Sequence, residues 1–318
     1  NKIPGLSITI LDGDGHIEYS KGFGYADLDK KININPKNSI FRIGSFSKTL
    51  AGTALMKMYE ENKIELDSSV GFYIKELPAD KKKITLRQIA GHLSGIRHYG
   101  DGDDMNLNLN YDNTIEALNI FIQDSLLFDP GTKYSYSTHA WTLLSLAMEN
   151  AYGENFIELM EKEILNPLQL DKTHAEEIDL FLEEKVTFYE KNESGKIILC
   201  PDVNNSWKWA GGGYLSTTLD MAKFTWKVLY TDFLKPETVK EMTESQKLPN
   251  DKKTNYGIGW RIRYDNEKNP YLGHTGGSVG GTTFVFSSKN KTVISIMANT
   301  SDGSFGNLPY ELINIFEN

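Results

Sequence analysis

Thr282-Thr283-Phe284-Val285-Phe286-Ser287, the turn Ser288-Lys289-Asn290-Lys291, and the run Thr292 to Met297 decide the fold. Two apolar runs rich in β-branched and aromatic residues flank a polar turn, which is the pattern of an antiparallel hairpin. The other end of the chain repeats it. Leu6 to Asp12 alternates apolar with polar, Asp12-Gly13-Asp14-Gly15 turns, and Ile17 to Lys21 returns. Gly257 to Arg263 is a further strand-like run. Between these ends the period changes to that of a helix. Ser47 to Asn62 carries Leu50, Ala51, Ala54, Leu55 and Met58 at helical spacing. Leu86 to Ala90, Thr114 to Asp124, Thr138 to Ala151 and Phe156 to Leu165 also read as helices. Thr217-Thr218-Leu219-Asp220 matches a capping box that starts a helix through Phe224 and Val228. Leu308 to Phe316 closes the chain as a helix. The expected class is α/β (α+β): one antiparallel sheet built from both termini, flanked by helices, with an inserted all-helical lobe. The expected boundaries are 1–65 and 206–318 for the sheet lobe and 66–205 for the helical lobe, with a cleft between them.

Composition excludes several classes. The chain has 318 residues, 39% of them hydrophobic and 24% charged, and a net charge of −9. That length holds a large core in one domain or two lobes. The negative charge repels phosphate backbones, so no nucleic-acid partner is expected. Cys200 stands alone, so no intrachain disulfide forms. No apolar run reaches the roughly 18 residues that span a bilayer. The chain starts at Asn1 without Met and soon enters a strand, from which we expect an exported bacterial protein, periplasmic or extracellular, with a leader removed. His16, His92, His98, His139 and His174 form no ligand-spaced pair, so neither a metal nor another cofactor is expected. His92 reads as structural, bonding backbone, and His98 with Tyr99 borders the cleft or a surface loop. Gly211-Gly212-Gly213 lacks the Gly-Lys-Thr/Ser ending of a phosphate loop.

Three segments carry chemistry. Ser45-Phe46-Ser47-Lys48 places a hydroxyl and an ammonium three residues apart at a helix start, on one face. A serine needs such a proton partner to become a nucleophile. Helix N-terminal amides beside Ser45 suit an oxyanion, and burial would lower the Lys48 pKa. Alone, this spacing more often marks a capping serine and a solvated lysine. Pro130-Gly131-Thr132 leads into Tyr134-Ser135-Tyr136-Ser137-Thr138 and holds Tyr136 at a helix mouth. A phenol serves as a base only where cations such as Lys48 lower its pKa. Alone, His274-Thr275-Gly276-Gly277 more often marks a strand-end histidine bonding backbone and a glycine pair in a turn. In a site, it would let a substrate lie against a strand edge, with the Gly277 N–H beside that of Ser45 for an oxyanion. His274 offers a switchable charge and Thr275 a hydroxyl. Gly276-Gly277-Ser278-Val279-Gly280 matches a nucleophile-elbow pattern. The residues after it read as strand rather than helix, so Ser278 is rejected.

Together these pieces resemble the serine β-lactamase and penicillin-binding-protein superfamily, in its class C-like branch of β-lactamases, esterases and D-peptidases. Within that branch the chain looks especially like the mitochondrial serine β-lactamase-like proteins and their bacterial relatives. The resemblance covers nearly the whole chain. It rests on Ile3-Pro4-Gly5, Gly22-Phe23-Gly24-Tyr25-Ala26-Asp27, Ser45-Phe46-Ser47-Lys48 and His92-Leu93-Ser94-Gly95-Ile96-Arg97-His98-Tyr99. It continues through Tyr136-Ser137-Thr138, Lys208-Trp209-Ala210-Gly211-Gly212-Gly213 and His274-Thr275-Gly276-Gly277. It implies Ser45 as the acylated nucleophile, Lys48 as its proton partner and Tyr136 as the base that activates Ser45 and then water. It also implies Gly277 as the second oxyanion donor.

Two positions depart from the family pattern. Thr138 stands where a Tyr-x-Asn motif has Asn, and His274 stands where dedicated β-lactamases have Lys. A threonine hydroxyl grips a substrate amide less well than Asn, and a histidine holds a carboxylate less firmly than Lys. The expected function is therefore acyl-enzyme hydrolysis of a peptide, D-amino-acid amide or ester. A true class C-like β-lactamase is an alternative, as is a penicillin-binding sensor or scaffold that does not turn over. The expected partner is a small acyl substrate; the sequence is silent on oligomeric state.

Overall fold

The structure, a computed structural model, describes residues 3–100, 108–265, 268–301 and 303–317. Part of the loop from Tyr99 to Asn113, expected to shape the pocket, lies outside the described residues. In chain order the strands are β1 (Gly5–Leu11), β2 (Ile17–Asp27), β3 (Ile32–Asn33), β4 (Phe41–Arg42), β5 (His174–Ala175), β6 (Tyr189–Lys191), β7 (Ile197–Leu199), β8 (Tyr214–Ser216), β9 (Arg261–Tyr264), β10 (Pro270–Ser278), β11 (Gly281–Ser287) and β12 (Val293–Ala298). Seven of them form one sheet in the order β3-β2-β1-β12-β11-β10-β9. The two ends of the chain meet at its centre, where β1 pairs antiparallel with β12, Ile8 opposite Ile296. The expected hairpin is β11–β12, with Phe284 opposite Ile296. Strand, turn, strand also describes β10–β11, with Ser278 opposite Gly281, so Ser278 sits on a hairpin and not on an elbow.

Both faces of the sheet are covered. Ile8, Ile10, Phe284, Phe286, Ile294 and Ile296 pack against Ile313, Tyr310 and Phe316 of the helix Leu308–Glu317. On the opposite face Val285, Val293 and Met297 join a core with the helices Ser47–Glu60 and Thr218–Tyr230. The polar half of the β1 alternation is therefore buried as well. Ser7 Oγ lies 2.7 Å from Thr218 Oγ1, and the Thr9 hydroxyl donates to the same atom at 3.0 Å. Thr217 caps the helix Thr218–Tyr230 by accepting from Asp220 N at 3.1 Å, worth about 1 kcal/mol. The Asp220 carboxylate does not complete the box. It accepts instead from Lys172 N and from the Thr173 hydroxyl.

The run Gly257 to Arg263 is a strand only from Arg261. Gly257 N bonds Trp260 O at 2.8 Å across a turn in which Gly259 has φ +74°. A methyl group on Gly259 would come within 2.3 Å of Lys48 O, so this turn is pressed onto the central helix. The expected helix from Thr114 ends at Leu118. Past it, Ile120 O accepts from Arg97 and Asp124 O from Lys81 Nζ.

The helical lobe was expected over 66–205. Helices do fill its first part, among them Leu86–Ala90, Thr114–Leu118 and His139–Tyr152. Residues 174–199 instead carry β5, β6 and β7. β5 pairs with β8, which pairs with β4, so this segment is tied to the sheet side. Val186 N bonds Ile40 O, Thr187 N bonds Ala26 O and Tyr189 N bonds Asn299 O, at 2.8–3.1 Å. Backbone carbonyls on the sheet side supply those partners.

Candidate active site

Ser45 lies in the short 3-10 turn Gly44–Phe46 that leads into the helix Ser47–Glu60. Gly44 has φ +51°, a left-handed conformation that favours glycine. A methyl group there would also meet Gly277, at 2.7 Å from its O and 2.9 Å from its N. The turn that carries Ser45 is thus seated on the backbone of Gly277. Ser45 is partly exposed, while Lys48 is 0% exposed. Lys48 Nζ reaches Ser45 Oγ at 3.4 Å, Thr138 Oγ1 at 3.1 Å and Gly211 O at short range. Burial holds the Lys48 ammonium well below the usual lysine range, and the Lys208 and Arg261 cations lower it further. A neutral amine has two N–H donors and one lone pair. Gly211 O and Thr138 Oγ1 can take both donors of such an amine, and its lone pair would then be free to accept the Ser45 proton.

Tyr136 comes from the loop before the helix His139–Tyr152, and its ring lies 4.8 Å from Lys48 Nζ. Its hydroxyl is buried and makes no hydrogen bond among the described residues. Burial pushes this phenol above the usual tyrosine range. The neighbouring Ser45 hydroxyl and the Arg261 cation offset only part of that. The sequence suggested that Lys48 would lower the Tyr136 pKa. The cation that lowers the Tyr136 value is Arg261 rather than Lys48, and burial outweighs it. Tyr136 is an O–H at neutral pH, able to pass a proton on rather than to stand as a phenolate.

Thr138 is buried and its hydroxyl is engaged by Lys48 Nζ. Ser137, rather than Thr138, caps the following helix, accepting from Ala140 N at 3.1 Å. His274, Thr275, Gly276 and Gly277 lie along β10. β9 covers that strand only from Pro270 to Gly273, so beyond it the strand edge facing Ser45 has no strand partner among the described residues. Gly276 permits this approach, since a methyl group there would fall 1.9 Å from Ile43 O. Gly277 is exposed, with nothing within 4 Å of such a methyl group. Thr275 is partly exposed.

His274 does not present the switchable charge that the sequence suggested. Its side chain is 1% exposed. Nδ1 lies 2.5 Å from Thr275 O, which can only accept, so Nδ1 carries the proton and Nε2 accepts from the Tyr256 hydroxyl at 2.9 Å. Burial, with Arg261 beside it, holds the ring well below the usual histidine range. The cation at this place is Arg261, which the sequence reading passed over. Its guanidinium carbon lies 5.7 Å from the Tyr136 ring centroid, and no carboxylate pairs with it among the described residues. The signal was an arginine directly after the Gly257–Trp260 turn, at the head of β9.

Among the described residues no group of His, Cys, Asp and Glu is placed to hold a metal ion. No described helix is long and apolar enough to cross a membrane.

A Ser-x-x-Lys pair heading a buried helix, beside an antiparallel sheet with an open strand edge, defines a serine hydrolase of the β-lactamase and penicillin-binding-protein superfamily. The beta-lactamase family model matches residues 1–314, and the chain belongs to that family. Human serine beta-lactamase-like protein LACTB, mitochondrial, is 29% identical over 373 residues, covering 88% of this chain and 68% of that protein. The octameric penicillin-binding protein homologue from Pyrococcus abyssi superimposes with a TM-score of 0.81 at 25% identity, over 95% of this chain and 70% of that one. D-amino acid amidase from Ochrobactrum anthropi SV3 gives a TM-score of 0.82 at 19% identity, over 95% and 88%, a likeness of fold alone.

Proposed function

We propose that the chain hydrolyses peptide amides, D-aminoacyl amides or esters through an acyl-enzyme on Ser45, in the cleft where the central helix meets the strand edge. The observation that carries this reading is the buried Lys48 amine beside Ser45, with its two other partners already satisfied. Ser45 Oγ bonds to the substrate carbonyl carbon while its proton passes to Lys48 Nζ. The oxyanion meets the N–H groups of Ser45 and Gly277. The bond to the leaving amine or alcohol then breaks, and that group takes the Tyr136 proton, which Lys48 replaces. Water adds to the ester by the same relay in reverse, releasing the acid and Ser45 Oγ–H. Arg261, rather than His274, is the cation that a substrate carboxylate meets.

A panel of p-nitrophenyl esters, D- and L-aminoacyl anilides and nitrocefin tests this reading. Ser45→Ala is expected to abolish both turnover and covalent labelling by a fluorophosphonate. Labelling that survives in this variant overturns the assignment. Arg261→Gln is expected to raise KM for carboxylate-bearing members of the panel about tenfold, leaving uncharged esters within about twofold. An equal effect on both groups removes Arg261 from recognition.

A further inference from the structure

Three contacts of His92 bear on Tyr136 and its two neighbours. Its carbonyl accepts from Ser135 N at 3.0 Å and its Nδ1 accepts from Ser137 N at 3.1 Å. One residue therefore holds the amides on both sides of Tyr136. Its ring also lies on the Tyr136 ring, with centroids 4.2 Å apart and 38° between the planes. The Tyr256 ring packs against His92 at 4.5 Å.

Two features of His92 are costly. Its φ is +62°, a left-handed conformation that a residue with a Cβ adopts at about 1–2 kcal/mol. Because Nδ1 accepts, the proton sits on Nε2, and this buried N–H has no partner among the described residues. Such a group costs roughly 1–3 kcal/mol. Both costs follow from aiming Nδ1 and the carbonyl at residues 135 and 137. Tyr136 gains from that support, because its own hydroxyl makes no hydrogen bond among the described residues to fix it.

We infer that His92 is a positioning residue that clamps the backbone around Tyr136 and sets its hydroxyl against Ser45 and Lys48. This rests on the proposed proton relay through Tyr136. Asparagine places an amide oxygen where Nδ1 stands and tolerates the left-handed backbone. Glutamine reaches instead to the position of Nε2, and leucine supplies volume without an acceptor.

The experiment measures burst and steady-state kinetics on a p-nitrophenyl ester for His92→Asn, His92→Gln and His92→Leu, with and without Tyr136→Phe. His92→Leu is expected to lower kcat about 100-fold, the cost of displacing a reacting group by about an ångström, with KM within about threefold. His92→Asn is expected to recover activity to within about fivefold of the parent, and His92→Gln to resemble His92→Leu. On the Tyr136→Phe background, His92→Leu is expected to cost less than about twofold more. Equal losses on both backgrounds, or equal activity of the Asn and Gln variants, overturn the inference. The Asn and Gln contrast decides it even where His92→Leu does not fold. Near-parental turnover by Tyr136→Phe alone overturns the relay itself, a separate result.

Discussion

Burial decides charge in this site before neighbours do. Lys48, His92 and His274 are each 0–1% exposed, and each is held toward its neutral form chiefly by desolvation. The sequence showed Ser45 and Lys48 because i,i+3 spacing is local. It also showed His274 as a residue type, but not its neutral state, since that depends on Tyr256 and on covered sheet faces. The buried histidines imply an acid sensitivity. Between their lowered folded values and the ordinary 6.5, the unfolded chain binds protons that the native chain does not. Stability therefore rises with pH in that window and falls as pH drops below 6.5. Two such groups contribute up to about 2.7 kcal/mol per pH unit. Urea midpoints between pH 7 and pH 5 are expected to fall, and His274→Gln, which still accepts from Tyr256, is expected to flatten that slope by about half. An unchanged slope shows that His274 does protonate in the folded chain.

Among the elements, the hairpins and long helices were legible because their periods are written in neighbouring residues. β4, β5 and β8 were not, because strands of two or three residues exist only by pairing with distant partners. The junction between β10 and the Ser45 turn is the element-level device that matters most. Gly276 closes on Ile43 O and Gly44 closes on Gly277, so the two backbones interlock in both directions. The glycines were visible in the sequence, but the surface each one meets was not. Gly276→Ala places its methyl group 1.9 Å from Ile43 O, so strand and turn must separate. The expected result is a loss in acylation rate of about 100-fold, read from the burst phase, with about 1–3 kcal/mol of lost stability. Gly277→Ala meets nothing and is expected to change stability by less than about 0.5 kcal/mol. A Gly276→Ala variant that acylates at the parental rate shows that the strand edge does not position the nucleophile.

At the scale of the molecule, one core unites both sides. Leu86, Leu144 and Phe156 belong to the same buried cluster as Phe224, Val285 and Met297. The expected division at 205 missed this because residues 174–199 contain no hydrophobic period that announces where they dock. The pair that fastens this segment is Arg42 with Glu176, both side chains 8% exposed, at 2.8–3.0 Å. Arg42 also donates to Val279 O in the β10–β11 turn, and Asn205 donates to Glu176. The pair thus joins the strand before Ser45, the segment after the helical part and the end of the substrate edge. A buried ion pair contributes little net stability, but breaking one side strands a charge. Glu176→Met is expected to cost about 3–5 kcal/mol, read from the guanidinium midpoint, and to lower turnover because Val279 and the Ser45 turn lose a common tether. Arg42→Met combined with Glu176→Met is expected to cost less than Glu176→Met alone, since no charge is then left without a partner. Near-ultraviolet and far-ultraviolet signals are expected to report one transition in all three proteins, because the shared core leaves no lobe to unfold alone. A double variant that loses as much stability as Glu176→Met or more shows that the segment is held by other contacts, and two transitions in the parent show that the two sides are separate folding units.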